Sequence, residues 1–426
     1  MRSVFWLLGL AAVAVALALL MGHNAATVTL FWPPYRYDMS FNFVLFGLAA
    51  GFVLLYLALR AIALLRDLPV QAQRWRSQQL ERAAVGSVLD ALSYQLAGRF
   101  VRAQSAGLAA LEQLRAMPSA HWARRQQLQL LAHLLVAESA QSLQNHRRRD
   151  EHLQSALHPQ LAKSAPDAHE GALLRAVHWA VEDRDAELAR NRLAELPQGA
   201  ARRIQALRLK LKTARLGGAT AEALETARLL AKHRAFSALA SRSILRGLAL
   251  DTLREAHDLS QLQTVWARLD AAERAMPELA LAAAQRANQL VTPEPGDAEA
   301  DQAAALVRGW LEPIWPGLQQ LDASHQRQLV QVLEPGLSRL DAAWLARLEH
   351  AQRLMPGNAF LQYLAGQAFM QRQLWGKAAQ LLGQASHSLG DPVLLRRTHC
   401  SLARLAEERG DTRAAQDAWK RAALLD

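Results

Sequence analysis

Residues 356–385, PGNAFLQYLAGQAFMQRQLWGKAAQLLGQA, form a complete helix-turn-helix pattern and decide the predicted fold. Small side chains recur where two helices must approach closely, and large apolar side chains fill the space between them. The small residues are Gly366, Ala378 and Ala385, and the large ones are Leu361, Phe369, Trp375 and Leu382. The pattern predicts two antiparallel helices that pack face to face.

The last part of the chain repeats this series about 37 residues later, close to the ~34-residue period of the tetratricopeptide (TPR) repeat. The match resembles that repeat, in which each helical pair buries its face by stacking on the next pair. The predicted packing residues are Gly366, Phe369, Ala378, Leu382 and Ala385 in the first unit and Ala403, Ala415, Trp419 and Ala422 in the second.

Composition extends the helical prediction to the whole chain. Ala and Leu dominate the 426 residues, and runs of strand-forming residues are scarce. We therefore expect an all-α fold, a TPR-like α-solenoid of helical hairpins. Such a fold can exceed the size of one ordinary domain because a solenoid grows by adding units.

Cysteine and charge limit the kinds of site and partner. The single cysteine, Cys400, excludes an internal disulfide framework and multi-cysteine zinc or iron–sulfur sites. The net charge of +11 is spread over nearly every predicted helix, which favours a solvated basic surface over a membrane-surface contribution or nucleic-acid binding. No recognised nucleic-acid motif accompanies the charge, so we expect no nucleic-acid partner.

Two uncharged apolar stretches precede the repeats. Residues 4–21 and residues 41–59 each approach the ~20 residues that a helix needs to cross a bilayer, and Pro33 and Pro34 break the helix between them. Arg2 precedes the first stretch, and five arginines follow the second, whereas the loop offers Arg36 beside Asp38. The five are Arg60, Arg66, Arg74, Arg76 and Arg82. By the positive-inside rule, we expect a two-helix transmembrane hairpin, a multi-pass anchor with both ends in the cytoplasm.

An alternative interpretation is that the first apolar stretch is a cleaved signal peptide, because Arg2 followed by an apolar core is the usual start of one. Against it, HNAAT is a poor cleavage site and the apolar run is long for a signal core. The second stretch would anchor the chain in either case, but cleavage would leave the side of the C-terminal part open.

Five segments follow from these patterns. Residues 1–68 form the membrane hairpin, 69–84 a basic juxtamembrane helix on anionic lipid or in solvent, 85–290 the N-terminal TPR-like repeats, 291–303 a linker or long loop rich in Pro, Gly and acid, and 304–426 the C-terminal repeats. Prolines at intervals of about 40 or 80 residues are expected to end helices of the repeats. They are Pro118, Pro159, Pro197, Pro277, Pro316, Pro356 and Pro392.

The sequence offers no catalytic signature. It contains no glycine-rich phosphate loop, nucleophile elbow or H-E-x-x-H zinc motif, so we expect no enzymatic activity. His399 and Cys400 are candidate haem ligands, although burial of Cys400 as a small apolar side chain is favoured. The central histidines set no pair firmly on one helical face and are interpreted as surface residues: His146, His152, His158, His169 and His178. The tryptophans interpreted as helix-packing residues are Trp266, Trp344, Trp375 and Trp419.

The order of these parts resembles the proteobacterial HemY family. A short N-terminal tail, two apolar stretches, a basic helix leading into LSYQLAGRFVRA at residues 92–103 and degenerate TPR units account for the whole chain, with the best local matches at residues 97–100 and 375–385. The resemblance implies a bacterial inner-membrane protein of haem-biosynthesis operons that acts late in protohaem synthesis. The flavin-dependent protoporphyrinogen oxidase that shares the family's name needs a dinucleotide-binding glycine motif, which this sequence lacks.

The resemblance leaves three functional hypotheses. In the first, the membrane-bound solenoid is a scaffold that holds late haem-pathway enzymes, or porphyrin itself, near the bilayer. The enzymes would be ferrochelatase or a protoporphyrinogen-oxidising enzyme. In the second, the protein binds haem or porphyrin directly, as a carrier or as an enzyme. In the third, it is a general TPR adaptor for envelope assembly; adaptors related to lipopolysaccharide regulation carry a single span and paired cysteines, which are lacking here.

Overall fold

The computed structural model describes residue 9 and residues 11–16, 18–19, 22, 25–117, 124–291 and 298–425. Its contacts divide the chain into two compact units, Met1–Ala172 and Leu173–Asp426. The chain is mostly helical, and successive helices pack as antiparallel pairs. The predicted linker of residues 291–303 does not mark this division: a helix begins at Ala298, and one apolar cluster extends from Leu207 to Leu405 across it.

The first unit contains a β-hairpin that the all-α expectation omits. Strand β1 (Thr27–Trp32) pairs antiparallel with β2 (Tyr35–Ser40), with Trp32 opposite Tyr35. The Pro33–Pro34 peptide bond between them is cis. Alternating β-branched and aromatic residues explain why both segments are extended, so the two prolines join two strands and not two helices.

Helix α1 (Phe41–Leu96) follows the hairpin directly and is 56 residues long. The hydroxyl of Ser40 caps its start by accepting a hydrogen bond from the backbone N–H of Phe43 at 3.3 Å. The helix continues through Pro69, where the sequence pattern predicts a boundary between the membrane hairpin and a separate juxtamembrane helix. The apolar segment and the basic segment after it are therefore one continuous rod.

Within the described part of the chain, a single helix is long and apolar enough to cross a membrane, the segment Phe41–Ile62 of α1. The other predicted span, residues 4–21, lies largely outside the described residues. Those of its residues that are described, numbers 9, 11–16 and 18–19, are helical and exposed. The two-span hairpin therefore stays a prediction.

The remaining helices of the first unit pack in sequence on the end of α1. They are α2 (Phe100–Ala116), α3 (Arg125–Ser142), α4 (His146–Ala156) and α5 (Pro159–Ser164), and α6 (Pro166–Glu182) continues into the second unit. Leu114 and Met117, at the end of α2, pack with Ala84 of α1 and its neighbour Leu80. The first helical pair thus begins about five turns beyond the apolar segment.

The second unit consists of helices with two 3₁₀ segments. The α-helices are α7 (Ala186–Ala194), α8 (Gln198–Ala201), α9 (Ile204–Leu216), α10 (Thr220–Lys232), α11 (Ala238–Arg254), α12 (Leu259–Ala267), α13 (Ala271–Arg274), α14 (Pro277–Leu290), α15 (Ala298–Leu311), α16 (Ala323–Leu333), α17 (Ala342–Leu354), α18 (Ala359–Gln371), α19 (Trp375–Ser388), α20 (Pro392–Glu408) and α21 (Thr412–Ala423). The 3₁₀ segments are Glu312–Gln320 and Glu334–Arg339.

Several turns between paired helices contain one residue whose backbone adopts the left-handed helical conformation. Glycine fills it at Gly98, Gly218 and Gly410, with φ between 67° and 77°. Gln373 adopts the same conformation at φ 57° in the turn between α18 and α19. Three of the prolines predicted to end helices begin them instead: Pro159, Pro277 and Pro392 are first residues of helices, where a missing N–H costs nothing. Pro118 lies outside the described residues.

Gly366 shows why the α18–α19 pair has a small residue at its crossing. A Cβ atom added there would lie 2.7 Å from Cγ of Leu382 and 3.3 Å from the backbone nitrogen of the same residue. Both residues, together with Ala378 and Ala385, are buried. The sequence prediction of a close helix crossing at Gly366 therefore agrees with the geometry.

Substituting valine for Gly366 is expected to lower the free energy of unfolding by about 2 kcal/mol, because the backbone of α19 must move away. Gly383→Val in α19 is the matched control, since an added Cβ there meets nothing within 4 Å. Urea unfolding of the detergent-solubilised chain, followed by circular dichroism, measures both. Equal shifts of the two midpoints would contradict the packing role of Gly366.

Candidate functional site

An aromatic surface lies at the start of the apolar segment. The β-hairpin exposes Phe31 (71%), Trp32 (69%), Tyr35 (65%) and Tyr37 (53%). Aromatic side chains with a polar edge favour the boundary between lipid headgroups and hydrocarbon. The hairpin is joined to α1 without a linker, and its register puts Thr27 and Ser40 at the end that meets Phe41–Ile62 and Trp32 and Tyr35 at the turn, the opposite end.

The other end of the apolar segment carries an arginine that can reach the opposite interface. Arg60 donates a hydrogen bond from its guanidinium to the hydroxyl of Tyr56 at 3.3 Å, one turn earlier. Long basic side chains at the end of a span can extend towards the polar headgroups, whereas in this contact the guanidinium of Arg60 lies back along the helix beside Tyr56. Aromatic and basic residues therefore frame Phe41–Ile62 as in a membrane anchor.

A histidine pair joins helices α3 and α4 in the first unit. The Nδ1 atoms of His133 and His152 are 3.0 Å apart, and the ring centroids are separated by 5.1 Å. At this distance one neutral imidazole donates its Nδ1–H to the other. His152 is one of the central histidines interpreted as a surface residue, but its partner His133 was not among them, because a pair between two helices has no fixed sequence spacing.

Burial and nearby cations keep both imidazoles neutral. Burial, followed by His152 and then by Arg115, lowers the pKa of His133 from 6.5 to about 4. Burial also lowers the pKa of His152, helped by the cationic side chains of Arg148 and Arg115, while Glu151 opposes the shift. The pair is therefore uncharged at neutral pH and lies in a positive local potential.

A polar cavity of about 390 Å³ opens beside His133. It lies where the end of α2, the start of α3 and the α4–α5 turn come together. Its lining residues are Arg115, Gln126, Gln129, His133, Ser155, His158, Gln160 and Leu161. Leu161 is the one aliphatic residue in this lining.

The predicted haem-ligand candidates occupy a different environment. His399 is buried in α20, and burial lowers its pKa, with Arg421 and His387 adding to the effect. Cys400 is half-buried and unpaired. Neither residue lines a described cavity, and across the described ranges no three His, Cys, Asp or Glu side chains converge as a metal site.

The predicted repeat-packing residues divide into buried and exposed ones. Ala415 and Ala422 of α21 are buried like their counterparts in α18 and α19, but Trp419 is 38% exposed and donates its indole N–H to Glu407 at 2.8 Å. Trp419 is therefore a surface residue tied to α20. Trp266 and Trp344 are buried. The ring centroids of Trp266 and Trp310 are 5.5 Å apart, and those of Trp344 and Trp315 are 4.9 Å apart.

Comparison with known proteins finds a family model that is similar to the N-terminal part. Residues 26–144 match the family model described as HemY protein N-terminus. This range contains the β-hairpin, α1, α2 and α3, hence the apolar segment and the α3 half of the histidine pair. None of the curated proteins matches the chain in sequence.

Solved structures give weaker similarities. One is described as "Structure of Naa15/Naa10 bound to HypK-THB", at 17% identity over 76% of this chain and 56% of that chain, with a TM-score of 0.22. Another is the TPR domain of P58(IPK), at 10% identity over 80% of this chain and 98% of that chain, with a TM-score of 0.21. This chain thus spans little more than half of the first structure, and TM-scores this low do not establish a common fold.

Proposed function

We propose, from the match of residues 26–144 to the family model of the HemY N-terminus, that this chain is a HemY-like, membrane-anchored helical scaffold acting at a late step of protohaem biosynthesis. Its partners would be the terminal enzymes of that pathway, ferrochelatase or a protoporphyrinogen-oxidising enzyme. The protein itself would hold these partners, or porphyrin, at the membrane and catalyse no step.

The observation that carries the proposal is the continuity of α1. The apolar segment Phe41–Ile62 and the helix that starts the first packed pair are parts of one rod, Phe41–Leu96. A rigid connection holds whatever binds the helical pairs at a fixed distance from the bilayer. Porphyrin intermediates are apolar and their enzymes work at membranes, so confinement of this kind raises the effective concentration of one partner for another.

The proposed location is the bacterial inner membrane, with the helical repeats in the cytoplasm. Arg60 lies at the end of the apolar segment, and Arg66, Arg74, Arg76 and Arg82 follow it. The β-hairpin before the segment carries Arg36 paired with Asp38 at 3.3 Å. A basic excess on one side of a span marks the cytoplasmic side. With a second span at residues 4–21, both ends of the chain would be cytoplasmic.

Direct carriage of haem is the weaker alternative. Porphyrin needs a broad apolar slot, and the cavity beside His133 is lined almost entirely by polar residues. His399 is buried and borders no described cavity. A stoichiometric Soret band in the purified protein would reverse this preference.

The test is affinity purification of the tagged full-length chain from membranes solubilised in mild detergent. Mass spectrometry identifies the co-purifying proteins, and the absorbance spectrum of the same sample records any bound porphyrin. We expect at least about tenfold enrichment of a late haem-pathway enzyme, without a stoichiometric Soret band.

The matched control is the same chain with Phe41–Ile62 replaced by an unrelated apolar span of equal length. It keeps the anchor and the rod, so co-purification should persist if the helical repeats hold the partner. A second tagged membrane protein measures background. Enrichment of no haem-pathway enzyme above that background would reject the haem-specific function and leave a membrane-anchored helical protein.

A further inference from the structure

We propose that the cavity between α2, α3 and the α4–α5 turn is a binding site for a compact phosphate-bearing anion. Arg115, Gln126, Gln129 and His158 would supply the hydrogen bonds. The proposed function does not require such a site, and the inference does not depend on which proteins the scaffold holds.

The first observation in favour of an anion is that no acidic side chain is found among the described lining residues of the cavity. Of the lining residues that the structure describes, none is an aspartate or a glutamate. The nearby carboxylate that acts on the histidine pair, Glu151, is already engaged by Arg147 at 3.0 Å. A concave site lined by donors and lacking carboxylates attracts anions and repels cations.

The second step is that three of the donor side chains have no partner among the residues that the structure describes. The guanidinium of Arg115 makes no ion pair or hydrogen bond within the described ranges, and the same holds for the side-chain amides of Gln126 and Gln129. These groups come from two different helices and meet at one cavity. A guanidinium presents its N–H groups as a planar fork that matches two oxygens of a phosphate.

His158 adds a donor of defined orientation. Its Nδ1 accepts a hydrogen bond from the backbone N–H of Gln160 at 3.4 Å. In the neutral ring the proton then resides on Nε2, which makes that atom a donor. Like Arg115, His158 is at the rim and accessible to solvent, so a ligand can reach it without a rearrangement of the helices.

The shape and lining decide the class of anion. About 390 Å³ with Leu161 as the one aliphatic contact suits phosphate, pyrophosphate or a small phosphorylated metabolite. A tetrapyrrole or an acyl chain would place a large apolar surface against amide and guanidinium groups and leave those groups without hydrogen bonds. The recognised chemistry is therefore the phosphate group itself.

Two sources of phosphate remain, a soluble anion and a lipid headgroup. Helix α2 runs back along α1, so Leu114 next to Arg115 packs with Ala84 and Leu80. Leu80 lies 18 residues beyond Ile62, which corresponds to about 27 Å of helix. The cavity thus opens at the end of the helical pair nearer to the membrane, but an upright rod keeps it clear of the headgroups.

Isothermal titration of the full-length chain in phosphatidylcholine nanodiscs with pyrophosphate tests the proposal. Arg115→Gln removes the fork and is expected to weaken binding by about tenfold or more. Arg102→Gln is the matched control, because this exposed arginine lies at the opposite end of the same helix. It should change the affinity by less than about twofold. Arg115→Lys, which keeps the charge but loses the fork, should fall between them.

Nanodiscs containing phosphatidic acid separate the two sources. If the lipid phosphate occupies the site, the apparent affinity for pyrophosphate falls in these discs for the wild type and not for Arg115→Gln; if the site takes soluble anions, the disc composition has no effect. Failure of pyrophosphate to bind, or equal losses in Arg115→Gln and Arg102→Gln, would overturn the proposal. So would tight Zn²⁺ binding at His133 and His152 without any pyrophosphate binding.

Discussion

Replacing Arg228 with methionine is expected to lower the free energy of unfolding by about 3–5 kcal/mol, because it leaves a buried carboxylate without its counter-ion. Glu273 in α13 is 1% exposed. Arg228 in α10 donates to it through two nitrogens, one of them Nε at 3.0 Å from Oε1. The same guanidinium reaches the carbonyl of Arg268 at 3.1 Å.

Hydrogen bonds between Glu273 and the backbone increase the loss of stability expected for Arg228→Met. Glu273 also accepts a hydrogen bond from the N–H of Asp270 at 3.0 Å, and Asp270 caps α13 in return at 2.7 Å. This capping box holds the carboxylate in place, so Glu273 cannot turn towards solvent when Arg228 is absent. The charge remains buried, and helices 45 residues apart in sequence lose their connection.

Urea unfolding of the solubilised full-length chain measures the effect. Arg254→Met is the control, because Arg254 pairs with Asp251 at the surface with its side chain 71% exposed. It should shift stability by no more than about 0.5 kcal/mol. The double variant Arg228→Met/Glu273→Gln should recover part of the loss, since it removes the uncompensated charge. If Arg228→Met and Arg254→Met behave alike, the buried pair does not hold these helices.

Acidification is expected to destabilise the first unit through His133. Its pKa is lowered from 6.5 to about 4 in the folded chain, so between those two values the unfolded chain binds more protons than the folded one. The contribution to stability is therefore fully present above pH 6.5 and declines as the pH falls towards 4. Linkage gives a loss of about 3 kcal/mol by pH 4.

Scanning calorimetry of the full-length chain across pH 7 to pH 4 (about three units) tests this effect in the wild type and in His133→Gln. The groups that act on the pair are Arg115, Arg148 and Glu151. The variant should have a flatter pH dependence for the transition of the first unit. His146→Gln, at an exposed position on α4, should retain the wild-type slope. A wild-type slope in His133→Gln would contradict the assignment.

Sequence periodicity predicts which face of a helix is buried. In the α18–α19 pair, Gly366, Leu382 and Ala385 are buried, and an added Cβ at Gly366 would meet Leu382. The β-hairpin was missed although TVTLFW and YRYDMS alternate as strands do. Two neighbouring apolar stretches and a pair of prolines favoured a simple loop over a pair of strands.

Contacts between helices that are far apart in sequence could not be predicted from the sequence pattern. His133 and His152 are 19 residues apart, and Arg228 and Glu273 are 45 apart. Each pair depends on the angle and height at which two helices cross, and a periodic pattern does not encode either quantity. A search for histidines on one helical face therefore could not find a cavity to which three helices contribute.

Because the helix Phe41–Leu96 is unbroken, the number of residues along it determines two things. It sets how far from the apolar segment the first helical pair lies and which direction around the helix axis that pair faces. Each residue inserted between Ile62 and Leu80 would raise the first helical pair by about 1.5 Å and rotate it by about 100° around the rod. Removing two residues would turn the anion cavity to nearly the opposite side, whereas removing seven would restore its direction and lower it by about 10 Å. The length of this rod thus specifies both how far from the bilayer a partner is held and which way it faces.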